Sequence, residues 1–68
     1  MMIARVVYND NVGTHVNYDN VISVISPDNK VNEYVIIRRV RGATRDYKTD
    51  SVIVPGHNVK HLILVGDR

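Results

Sequence analysis

The amino-acid sequence predicts an all-β domain, a small antiparallel meander of five or six strands forming a compact barrel or two packed sheets. Three observations carry this. Short runs rich in Val, Ile and Tyr recur along the 68 residues, bounded by Asn, Asp, Pro or Gly. The segment Asn32 to Val54 is the longest regular signal, reading as a long strand, a Gly-containing turn and a second strand running back. The chain is too short for more than one domain, so residues 1–68 form a single unit.

Met2 to Tyr8 is the first strand. Its apolar residues Ile3, Val6 and Val7 fall on both faces, which predicts cover on both sides. Asn9-Asp10-Asn11-Val12-Gly13 is turn chemistry. Thr14 to Tyr18 reads as a short second strand that Tyr18-Asp19-Asn20 breaks or turns. Val21 to Ser26 is a third strand, with Val21, Ser23 and Ile25 on one face and Ile22 and Val24 on the other. Pro27-Asp28-Asn29-Lys30 is a turn in which Pro sets φ at the second position.

The hairpin follows. Arg41-Gly42-Ala43-Thr44 suits a two-residue type II′ loop, because Gly42 accepts the positive φ required at its first central position. That loop places Arg39 opposite Asp46 and Arg38 opposite Tyr47. Tyr34, Ile36, Arg38 and Val40 then share a face with Arg45, Tyr47, Thr49 and Ser51. Val54-Pro55-Gly56-His57 fits a type II turn with positive φ at Gly56. Val59 to Val65 is the last strand; a helix there is disfavoured by the preceding Pro-Gly and the β-branched content. The first and last strands are the most apolar. They are expected to be central or paired with each other, or one is an edge covered by a second subunit.

Composition narrows the functional classes. A domain of this size buries only about 60% of its extended surface and commonly needs a staple. Cysteine is absent, so disulfides and thiolate metal sites are excluded, leaving strand packing or self-association. A homo-oligomer is therefore expected. No run reaches the length of a membrane span, and Arg5 interrupts the first apolar segment as a signal peptide would not. The expectation is a soluble cytoplasmic protein.

The net charge is only +2, but the positive residues are gathered. Arg38, Arg39, Arg41, Arg45 and Lys48 surround Tyr47 with Asp46 as the nearby acid. Such a tip faces an anion: nucleic acid, a nucleotide or an acidic protein surface. Read structurally instead, the same charges blunt a strand edge. These six residues are the expected contact site.

Catalytic chemistry finds no pattern. His57 and His61 stand i, i+4 without the glutamate of a helical metalloprotease motif and in strand context, with His15 or Asp67 as the remaining candidate ligands. Ser23, Ser26 and Ser51 lack a nucleophile elbow, and Asp46 and Asp50 are interleaved with bases. The reading is a protein that is not an enzyme and carries no metal or cofactor.

The succession of strand, Asn9-Asp10-Asn11, strand, Tyr18-Asp19-Asn20-Val21 and strand resembles the short β-meander accessory proteins of bacteriophages and prophages. The resemblance covers Val6 to Ile25. It implies a non-enzymatic protein that acts in the host cytoplasm, binds a host protein or a small ligand, and in some cases blocks host defence. Its leading form is an inhibitor that occupies a host protein or sequesters an anionic ligand through the basic hairpin. The alternatives are a nucleic-acid-binding small β-barrel and a structural or assembly subunit.

Overall fold

The computed structural model describes residues 2–41 and 47–66. The described strands are β1 (Met2–Tyr8), β2 (His15–Ile25), β3 (Glu33–Arg41), β4 (Tyr47–Pro55) and β5 (Val59–Gly66). A single 3-10 turn, Gly56–Asn58, lies between the last two. All pair antiparallel in one five-stranded sheet of order β4-β3-β2-β1-β5. The all-β class is as expected. The first and last strands do pair, with β1 interior and β5 at an edge.

The expected second and third strands are one strand. β2 runs unbroken through Tyr18-Asp19-Asn20, and the interruption is absorbed as an irregularity within it. Ala4 faces Tyr18 but Met2 faces Val21, so β2 carries one residue more than β1 over that interval. Asn20 takes the extra length in a left-handed conformation (φ 56°), a region its short polar side chain tolerates better than most. The pairing with β3 slips again between Val21 and Ser23. Bulges of this kind bend a strand and strengthen its twist.

That bend is needed, because β4 and β5 are consecutive in sequence yet occupy opposite edges. Edges of a flat five-stranded sheet would lie about 19 Å apart, at four strand spacings. The link from Pro55 to Val59 spans at most about 14 Å even when fully extended, and less as a 3-10 turn. The sheet therefore curls until its edges approach at this end.

The curl creates an inside. Ala4 and Val6 of β1, Val21 of β2, Ile36 of β3 and Val54 of β4 are buried together. Met2, Tyr8, Tyr18, Val24, Tyr34, Val52, Val59 and Leu62 pack around them. β1 thus buries only one of its faces fully, and Arg5 on the other is exposed, hydrogen-bonding Asn17 at 3.0 Å.

The connections follow their turn chemistry. The Asp10 carboxylate accepts from the backbone amides of Val12, Gly13 and Thr14, while Gly13 takes φ 73°. Asp28 accepts in the same way from Lys30 and Val31. Both carboxyls are held below their ordinary pKa: Asp10 chiefly by its hydrogen bonds from Thr14, Asp28 by those from Val31 and Lys30.

The expected type II turn at Pro55-Gly56 is corrected. Gly56 opens a 3-10 turn, and Gly13 alone among the described glycines has positive φ. Gly56 is required for space instead: a Cβ there would run into the Asn32 side chain and lie 3.1 Å from its carbonyl oxygen. The close approach lets the Gly56 amide donate to the Asn32 carbonyl at 2.9 Å, clasping the start of β3 to the end of β4.

The hairpin register is also corrected. Arg39 faces Thr49, three residues beyond the expected Asp46, and Arg38 faces Asp50 instead of Tyr47. An odd shift moves every β4 side chain to the opposite face. Tyr34, Ile36, Arg38 and Val40 share their face with Val54, Val52, Asp50 and Lys48, while Thr49 and Ser51 stand with Arg39 and Ile37. The physical reason is the apolar pairing: only this register sets Ile36 against Val52 and Tyr34 against Val54 in the core. The expected loop at Gly42 and Ala43 lies outside the described residues, as do Arg45 and Asp46.

Candidate functional site

The distal half of the hairpin shapes one side of an open groove of about 580 Å³. Arg39 of β3 and Tyr47, Lys48 and Thr49 of β4 line it, together with Met2 of β1 and Val21 and Ile22 of β2. Its wall is largely aliphatic, with the basic groups at the hairpin side. The groove sits where β4 begins and β1 begins, at the end of the sheet away from the Pro55–Val59 link.

Each polar residue reaches the groove for a definable reason. Arg39 and Thr49 are cross-strand partners, so they stand side by side on one face. Tyr47 lies one ladder step diagonally from Arg39, and the Arg39 guanidinium rests 4.4 Å from its ring centroid. This is a cation–π contact within the favourable distance. Tyr47 remains 62% exposed, which leaves ring surface open to a further partner. Lys48 belongs to the alternate face but borders the same groove with Met2 and Val21.

Arg38 is placed differently. Its side chain turns to β2, with Nη2 3.1 Å from the Asp19 carboxylate and Nε donating to the Asp19 carbonyl at 3.2 Å. It also lies 5.8 Å from the Tyr18 ring centroid and faces Asp50 across the hairpin. Its charge is committed within the sheet. Tyr18 itself is pushed above the ordinary tyrosine pKa, first by burial and then by nearby Tyr8, with Arg38 opposing.

No family model matches the chain, and no curated protein or solved structure matches it.

Of the six residues expected at the site, the structure brings Arg39, Tyr47 and Lys48 together at the groove. It ties Arg38 to Asp19 instead. Arg41 ends the described part of β3 opposite Tyr47, and Arg45 lies outside the described residues. The groove's Met2, Val21, Ile22 and Thr49 were missed. Thr49 could have been found from the correct register, whereas Met2, Val21 and Ile22 arrive only through the curl of the sheet.

The histidines are dispersed. His15 and His61 flank Val7 from neighbouring strands, two strand spacings or roughly 10 Å apart, and His57 lies in the 3-10 turn. No group of three or more His, Asp or Glu residues converges among the described residues.

Proposed function

We propose that the chain is a non-catalytic binding protein of the phage accessory kind. It would act in a host cytoplasm by occupying a host protein or sequestering an anionic ligand. The observation that supports this most is the groove in which Arg39, Lys48 and the Arg39-backed Tyr47 meet an aliphatic wall. Clefts of a few hundred Å³ with an apolar lining and a few convergent polar groups are the usual form of ligand sites. In this reading the curled, open sheet is the scaffold, with the basic hairpin as its contact element.

The test is paired charge reversal. Arg39→Glu with Lys48→Glu is expected to abolish retention of the native ligand or partner, read by native mass spectrometry. Lys60→Glu, on β5 outside the groove, is the matched control. Equal retention by all three proteins would remove the reading. A nucleic-acid partner is the alternative, and its mark is an affinity that falls steeply with salt.

A second reading, an assembly subunit, has its own support. β5 is an edge strand whose Ile63, Leu64 and Val65 are all exposed, with no charged residue between His61 and Gly66. Such edges invite pairing with another copy. Light scattering that finds only monomer at high concentration would end it.

A further inference from the structure

We infer that the groove takes a free mononucleotide, a flat heterocycle joined to a phosphate; this rests on the anion-binding reading above and names its ligand class. Three features select that chemistry. First, the cations are of two kinds set on alternate faces of β3 and β4: a planar guanidinium at Arg39 and a point charge at Lys48. The guanidinium already lies over the Tyr47 ring, so Arg39 and Tyr47 together offer a platform on which a base can pack. Lys48 is left as the phosphate partner, in the role a compact ammonium fills well.

Second, the rest of the groove's lining, Met2, Val21 and Ile22, is aliphatic. Ile22 is 46% exposed, so apolar surface is available in the groove for a ring to pack on. Third, the groove is open instead of enclosed. A hydrocarbon tail laid in it would stay wet along one side, whereas a planar ring needs cover only above and below. The Thr49 hydroxyl, beside Arg39, offers a donor and an acceptor to a base edge or a ribose. The volume of about 580 Å³ falls within the range of small-molecule sites.

The experiment is calorimetric titration of the full chain at low salt with AMP, adenosine, inorganic phosphate, decanoate and a ten-residue oligothymidylate. AMP is expected to bind at least tenfold more tightly than adenosine or phosphate. Lys48→Gln is expected to weaken AMP at least fivefold and leave adenosine unchanged. Tyr47→Ala is expected to weaken AMP and adenosine alike; Tyr47 is exposed, and circular dichroism verifies that each variant is folded. AMP binding no tighter than phosphate, or insensitive to Lys48→Gln, overturns the inference. So does tighter binding of decanoate, which marks an aliphatic ligand, or of the oligothymidylate, which marks a nucleic-acid groove. Failure here is separable from failure of the broader reading. If AMP does not bind but the Arg39→Glu, Lys48→Glu protein still loses its native ligand or partner, only the mononucleotide falls. If that double reversal changes nothing, both fall.

Discussion

The two halves of the β3–β4 hairpin differ although their backbones are one continuous ladder. Toward Pro55, Tyr34 and Ile36 face Val54 and Val52 and help close the core. Toward Tyr47, the same strands carry Arg39, Lys48, Thr49 and Asp50, all exposed. Arg38 marks the border, half inside and tied back to Asp19. The contrast teaches that the demands of packing stop within a single strand. Beyond Ile36 no residue of β3 with a described side chain is fully buried, so residue choice there is less tightly held by the core.

Substitutions should respect that border. The largest effect is expected from Ile36→Ala in the inner half. Ile36 is fully buried, and loss of its side chain leaves a cavity costing about 2–5 kcal/mol. In a domain this small that loss should leave a substantial unfolded fraction, read by urea titration. Gly56→Ala comes next. It forces Asn32 to move and strains the clasp, an overpacking expected to cost about 1–3 kcal/mol. A neutral result would show that the Asn32 side chain swings away freely.

At the border, Arg38→Ala removes an ion pair to an exposed carboxylate and a contact over Tyr18, together about 0.5–1 kcal/mol. The turns before the hairpin add a pH dependence of their own. Asp10 and Asp28 have depressed folded pKa values, so their stabilisation is complete above the unfolded value of about 4. It is lost as pH falls through the lower folded values. Thermal melts of the wild type should therefore decline below about pH 4, and Asp10→Asn should flatten part of that decline. The smallest effect on stability belongs to the outer half: Arg39→Gln and Lys48→Gln should shift unfolding by less than about 0.5 kcal/mol while weakening ligand binding. A large loss of stability from either would erase the border.

The strands and turns were legible where they depend on nearest neighbours. Met2–Tyr8 is recovered at both ends, and β5 begins at Val59 as expected. β2 could not be read so directly. Asn20 carries the signature of a turn, but a left-handed residue serves a bulge as well as a turn, and which one forms depends on whether β1 lies alongside. Gly56 illustrates the same ambiguity, since glycine is used either for positive φ or for space, and only the approach of Asn32 decides.

The hairpin register was open to error because several loop lengths suit the residues after Arg41, and parity then assigns whole faces. Matching Ile36 to Val52, apolar to apolar, would have settled it. At the site, Arg39, Tyr47 and Lys48 were legible as neighbours in one basic run. The Arg38–Asp19 pair, nineteen positions apart, was hidden, as was the aliphatic wall from β1 and β2.

The short link between Pro55 and Val59 has a mechanical corollary. It pins the two rims of the curled sheet at one pole, whereas at the other pole, beside Lys48 and Gly66, the described residues include no link between the rims. Any opening of the curl is therefore expected at the pole that holds the groove. Under the binding proposed above, a slight splaying of the rims there would admit a ligand with the clasp between Gly56 and Asn32 left undisturbed.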